Sequence, residues 1–452
     1  MSDQNNMFIN EINSLPEYIP QSTYMELPNQ EIPIYEGEFT IQQNEISIVV
    51  IGKIVFKWYP ELGPVFVTTE LISESHAIIT LNMSEHCNLF IAGFLFGKAY
   101  IMNIVDMHFL SGRCVQGKMG DTSIKVSSIR FSIPNLQLFD GEKIKKTGEN
   151  KISFFNGRNI FDNGFYRITI DEVENSEKVQ RNLQQTGGYL VTCGGEIVKN
   201  NGSLSLNEVE ELLLAFNTFL CFLNGRRTSL FFLKGIFEEE IIWSDYSGYI
   251  CDPYKSVKRW ARVDNYSGLN GIWQKFSDMF KDSDKKDFLL YAIHWYSEAN
   301  SSSGSTDGSI IFAQTSLELF YNWLLIEQRK LIIGSDANGL SAANKIRLLL
   351  SQISLTTVIP SGLSSLVAIK DIEDGPEIFT IIRNALVHGQ EKKRKDLRDI
   401  STLAKYEALE LGLWYLELCM LYVLEYRGSY SNRTLKNSWF GYSETVPWQK
   451  TD

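Results

Sequence analysis

The spacing of the apolar residues changes partway along the chain. Up to about residue 242 they alternate in short runs, and from Asp284 onward they recur three and four positions apart. A period of two buries one face of a sheet, and a period near 3.6 buries one stripe of a helix. A chain that switches from one to the other folds as a β-rich part followed by a helical part. The alternating runs include residues 38–60, Ala77–Leu81, Ala99–Val105, Ile124–Phe131, Lys151–Phe155 and Tyr166–Ile170, with Gly, Asn, Asp and Pro between them. They predict a sandwich-like or barrel-like antiparallel domain. One helix interrupts it at about 205–222, where Ser205 and Glu208 have the capping-box spacing, and it is expected to pack on the sheet.

The helical part divides at its own stop and start signals. A helix is expected over 287–300, a second over 308–328 with Asp307 as cap, and a third over 341–353. A fourth, over 375–388, has Asp374 as cap, Pro376 in its first turn and Glu377 at its third position. The last, over 399–427, is apolar nearly all round and ends at Gly428. Such a helix must be covered on several sides, which predicts a bundle and a partner subunit. The expected architecture is therefore α+β. It comprises an N-terminal extension (1–30), a β-rich sandwich-like domain (31–242), a connector (243–284), an all-α bundle (285–430) and a tail (431–452).

Several chemistries are excluded by absence. The phosphate-loop, dinucleotide, nucleophile-elbow and H-E-x-x-H motifs do not occur. The six cysteines stand singly, without a C-x-x-C pair, so neither a disulfide framework nor a zinc site is expected. No metal or cofactor is predicted. No apolar run reaches the roughly 20 residues of a membrane span. The first residues lack the basic stretch and apolar core of a signal peptide, so the expected location is the cytoplasm. The 43 Lys+Arg against 54 Asp+Glu leave a formal net charge of −11, which excludes a protein that coats nucleic acid through bulk charge.

Of the five histidines, His76, His86, His108 and His294 stand alone. His388 closes the segment Arg383-Asn384-Ala385-Leu386-Val387-His388-Gly389, an R-x4-H arrangement. The apolar stripe of that helix is Ile378, Ile381, Ile382, Ala385 and Leu386. Thr380, Arg383, Asn384 and Val387 are then expected to point away from the core. Asn384 and His388 are four apart and stack on one flank. A fixed cation, an amide and an imidazole on one face suit phosphodiester cleavage. The imidazole moves a proton near neutral pH, and the guanidinium forks onto phosphate oxygens. The alternative is a pair of surface residues at a helix end, where a cation is favoured by the dipole.

The C-terminal segment resembles the HEPN family, helical bundles that dimerise and carry an R-x4–6-H motif. The resemblance rests on Phe288–Ala299, Ser309–Leu325, Ile381–Gly389 and the long final helix, about 140 residues in all. The order of a β-rich half followed by this bundle is similar to the ApeA-like branch, bacterial proteins associated with abortive defence against phage. The resemblance implies a metal-independent endoribonuclease in which the 2′-hydroxyl attacks the adjacent phosphate. Arg383 would stabilise the phosphorane, His388 would act as acid or base, and Asn384 would orient them. Glu318 matches a frequent acidic position of the second helix. Two protomers would share one groove, with an RNA substrate (tRNA among the candidates) and a phage-derived trigger as partners. Residues Lys392, Lys393, Arg394, Lys395 and Arg398, five basic against two acidic residues over Glu391–Arg398, would track the RNA backbone. The alternative is a non-catalytic HEPN dimerisation module in a ligand-binding regulatory protein.

Overall fold

The computed structural model describes residues 12–73, 78, 81–106, 109–137, 139–148, 152–261, 266–301, 305–334, 339–387, 400–435 and 443–449. The chain forms two compact units. The first comprises 1–217 and 228–255, the second 218–227 and 256–452.

The first unit contains a closed barrel and an eight-stranded sheet. Strands β1 (Ile32–Gln43), β2 (Ile46–Lys57), β3 (Gly63–Leu71), β4 (His86–Ile91), β5 (Phe94–Val105) and β6 (Phe109–Cys114) close in the order β1-β2-β3-β6-β5-β4, every pair antiparallel. Alternate residues point inward: Phe39 and Ile41 on β1, Ile48 and Val50 on β2, Leu89 and Ile91 on β4 are all buried in one core. β1 and β4 close the barrel through the three pairs Thr40–Phe90, Ile41–Leu89 and Gln42–Asn88. Within the barrel, Gly112 marks the tightest approach. A Cβ there would lie 2.2 Å from the Tyr100 carbonyl oxygen and 2.4 Å from the Phe66 ring.

The sheet follows the order β7-β14-β13-β8-β12-β11-β10-β9. Its strands are β7 (Lys118–Met119), β8 (Ser128–Pro134), β9 (Glu142–Thr147), β10 (Ile152–Asp162), β11 (Tyr166–Glu172), β12 (Val191–Lys199), β13 (Phe231–Phe237) and β14 (Glu240–Asp245). Helix α1 (Ser176–Thr186) leads from β11 to β12. Helix α2 (Leu206–Asn224) follows β12, and the backbone N–H of Ser205 donates to Glu208 Oε2 at 3.3 Å, one half of the predicted capping box. A buried ion pair fastens the N-terminal segment to this sheet. Arg158 grips Asp171 through two bonds of 2.7 and 2.6 Å, while Asp171 accepts from the Ile19 N–H and Arg158 donates to the Glu17 carbonyl.

Burial pushes the Glu172 carboxyl up to about 7; a Ser176 hydrogen bond opposes the rise and Asp140 adds to it. The folded state then holds a proton that the unfolded chain has released. Stability falls as pH rises from the ordinary carboxylate range through pH 7. Glu172→Gln keeps the shape and removes the titration. Its melting temperature is expected to decline less than wild type between about pH 5 and pH 8. Parallel melting profiles for the two proteins would exclude Glu172 as the cause.

The second unit is helical: α3 (Tyr266–Met279), α4 (Ser283–Ser301), α5 (Thr306–Tyr321), α6 (Ala342–Gln352), α7 (Ser364–Val367), α8 (Gly375–Val387) and α9 (Thr402–Val423). Helix α3 falls in the stretch read as a connector. Its Leu269, Ile272, Trp273 and Phe276 are buried at helical spacing. Ser305, not Asp307, caps α5, and Ser401 caps α9. Asp374 caps α8 as expected: its Oδ1 accepts from the Glu377 N–H at 3.0 Å, and Arg347 clamps both of its oxygens. At Tyr321 the α5 helix widens into a π-helix, Asn322–Gln328.

Helix α9 is buried along almost its whole length, as its composition requires. It packs against α4, α5, α7 and α8, so its cover comes from its own chain and does not by itself demand a second subunit. The acidic residues of α9 are each answered. Glu407 accepts the Ser365 and Leu366 N–H groups, and Glu417 and Glu410 receive Arg433 from the segment after the helix. Arg433 also donates to Asn300 Oδ1, and the Tyr296 hydroxyl donates to Glu417 at 2.8 Å. The C-terminal segment is thus part of the core. Its strands β15 (Ser429–Tyr430) and β16 (Glu444–Thr445) pair antiparallel, and Asn432 and Tyr430 both donate to Glu444.

Candidate functional site

The candidate site lies where α5 and α8 pack together. Helix α8 is more enclosed than its sequence stripe suggests. Thr380, expected to face away, is buried, and so is Phe379, because α5, α6 and α9 all pack against this helix. Arg383 and Asn384 keep the half-buried strip towards the C-terminal end, and Val387 is 43% exposed.

On α5, Gln314 and Glu318 are four apart and share a face. The Gln314 amide donates to Glu318 Oε1 at 3.3 Å. The Arg383 guanidinium lies 4.0 Å from the same Glu318 oxygen and donates to Asn384 Oδ1 at 3.2 Å. Arg383, Asn384 and Glu318 therefore occupy one cluster. The Arg383 side chain is 24% exposed and that of Glu318 is 40% exposed, so the cluster opens to solvent at one side. Beneath it, Gln314 Oε1 and Arg383 Nε are buried with no hydrogen-bond partner among the described residues. A guanidinium loosely held by its own protein, with one edge open, retains donors for an oxyanion.

His388 and the basic residues Lys392, Lys393, Arg394, Lys395 and Arg398 lie outside the described residues, as do His76 and His108. Gln314 was not singled out from the sequence. Its signal was a polar residue on the apolar stripe of α5, four positions before Glu318. Among the described residues, no group of three or more His, Cys, Asp or Glu could hold a metal ion, and no helix is long and apolar enough to cross a membrane.

These features define a two-part protein, a β-rich unit followed by a helical unit consistent with a HEPN-like fold. Residues 121–257 match the YopA central domain, and residues 282–445 match the YopA C-terminal domain. The chain is 28% identical over 446 residues to the SPbeta prophage-derived uncharacterized protein YopA of Bacillus subtilis (strain 168), across 96% of this chain and 98% of that protein. It is thus related to the YopA family. The two matched segments leave out the barrel, which ends at Cys114. No solved structure matches.

Proposed function

We propose that the protein is a HEPN-type endoribonuclease of the ApeA-like kind, an effector of abortive defence against phage that cleaves RNA without a metal. The observation that carries this reading is the meeting of Glu318 with Arg383 and Asn384 across α5 and α8, directly before the sequence position of His388. Arg383 binds the scissile phosphate and stabilises its charge as the 2′-hydroxyl attacks. His388 transfers the proton, and Asn384 holds the arginine's orientation. Glu318 restrains Arg383 until phosphate displaces it. Residues Lys392, Lys393, Arg394, Lys395 and Arg398 follow the RNA backbone. The active form is a cytoplasmic homodimer in which two motifs share one groove, and the β-rich unit senses a phage-derived trigger. The prophage origin of the relative fits a part in conflict between phages and their hosts.

The test is expression of wild type, Arg383→Ala and His388→Ala, with RNA profiling in cells and cleavage assays on purified protein in EDTA. Wild type is expected to degrade RNA and arrest growth when triggered, and the two variants to do neither. Equal RNA integrity and growth in all three, with the trigger present, would sink the catalytic reading. A second reading is a HEPN module that dimerises without catalysis. It is favoured by Glu318, a carboxylate of the protein itself that stands 4.0 Å from the Arg383 guanidinium.

A further inference from the structure

The helical unit carries a second opening, built from other residues than the Arg383 cluster. It is a cleft of about 670 Å³ between the π-helix, the C-terminal end of α9, parts of α3 and α4, and the C-terminal segment. A volume of this size holds a small organic ligand. Four cations line it, Lys275, Lys285, Arg329 and Arg427, against one carboxylate, Glu425, in a chain of formal net charge −11. Lys275 pairs with Glu425 and Lys285 with Asp282, whereas Arg427 is exposed and has no ion pair among the described residues.

Aromatic rings stand between these charges. Tyr422 and Trp448 meet edge to face, with ring centroids 5.3 Å apart. The Arg329 guanidinium lies 5.4 Å over the Tyr422 ring and donates to the Tyr422 hydroxyl and to Gln352, which fixes its direction. Trp323 forms a further part of the wall. Its ring stacks on Phe288 at 4.1 Å and is 8% exposed, yet its indole N–H has no partner among the described residues. A buried donor without a partner costs stability unless a ligand or water accepts from it. The wall that holds Trp323 is also the stretch where α5 leaves regular geometry. The Arg329 N–H reaches back five residues to the Leu324 carbonyl, and π-segments of this kind recur at functional sites.

We infer that this cleft binds a nucleoside phosphate. The half-buried Tyr422 and Trp448 rings offer a surface for a base to stack on. The cations are spread over several side chains, more than a single carboxylate would occupy, and suit a chain of phosphates. The same chemistry is presented by a free nucleotide and by a 5′-phosphorylated RNA end. The inference stands apart from the ribonuclease reading, since Arg383, Asn384 and Glu318 do not line the cleft.

The test is titration calorimetry on the full-length protein with the four ribonucleoside triphosphates, their unphosphorylated nucleosides and inorganic tripolyphosphate. At least one triphosphate is expected to bind, and its nucleoside and tripolyphosphate to bind at least about tenfold more weakly. Arg427→Glu and Trp448→Ala are each expected to weaken binding about tenfold or more, and Lys143→Glu on β9 to leave it unchanged. Arg427 is exposed, so its variant should melt like wild type. Competition by RNA bearing a 5′-triphosphate would assign the site to an RNA end, and its absence to the free nucleotide; both outcomes support the site. The inference is overturned if no triphosphate binds at millimolar concentration. It is overturned equally if binding survives Arg427→Glu, or if nucleoside or tripolyphosphate alone binds as tightly.

Discussion

Replacing Arg383 with alanine is expected to lower RNA cleavage by about 10²–10³-fold, the usual effect of removing one group that stabilises transition-state charge. It should do so with little change in stability. The only ion pair of Arg383 among the described residues is the 4.0 Å approach to a Glu318 that is itself 40% exposed. Pairs of that kind contribute about 0–1 kcal/mol. Its Nε makes no hydrogen bond among the described residues, so truncation breaks few contacts there. A stable variant without activity therefore locates the defect in chemistry. Arg383→Lys should recover little, because an ammonium cannot fork onto two phosphate oxygens. Full activity in Arg383→Ala, at wild-type melting temperature, would remove Arg383 from the reaction. Glu318→Gln separates the two readings of the site. If Glu318 restrains the arginine, the amide should cleave RNA at least as fast as wild type. If the carboxylate is a permanent plug in a non-catalytic module, neither protein cleaves.

Arg433→Met is expected to destabilise the helical unit by about 3–5 kcal/mol, the cost of leaving a buried charge without its partner. The Arg433 side chain is 1% exposed and makes bonds of 3.0 and 2.6 Å to the two oxygens of Glu417, whose side chain is 0% exposed. Burial pushes the Glu417 carboxyl up while Arg433 pulls the other way. Without Arg433 the burial effect acts almost alone, and the carboxyl must be protonated or the helix must open. Glu410 would keep Lys258 at 2.6 Å, so the loss falls mainly on Glu417. Adding Glu417→Gln should return a good part of the stability, because the amide is neutral and can still accept from Tyr296. Urea denaturation of the three proteins checks both steps. A single variant as stable as wild type would mean that the pair contributes nothing.

The helical unit was largely legible in its residues. Asp374, Pro376 and Glu377 marked the start of α8, because capping and first-turn preferences act within four residues. The apolar circumference of α9 announced deep burial for the same local reason. The cover for that helix was not legible. It comes from α4, α5, α7, α8 and a polar segment whose Arg433 lies sixteen residues beyond Glu417. Residues in that segment gave no periodic signal. The acidic residues of α9 were the available hint, since a carboxylate in an apolar helix requires a donor. In the candidate site, Arg383 and Asn384 are legible in the helix pattern and Glu318 through the family resemblance, whereas Gln314 and the meeting of α5 with α8 are not.

The sequence by itself determined that a β-rich part is followed by a helical part, that the last helix is buried, and that Arg383 and Asn384 lie outside the apolar stripe of one helix. These are properties of residues close together in the chain, and the backbone period sets them without help from the rest of the chain. Only the tertiary structure decided that the first strands close into a barrel while later ones form an eight-stranded sheet. It also brought Glu318 to Arg383, Arg433 to Glu417, and the cations and rings of the cleft to one another. Arg433 and Glu417 are 16 residues apart, and Arg329 and Tyr422 are 93 apart. Their meeting depends on how whole elements pack, and a local pattern carries no record of that.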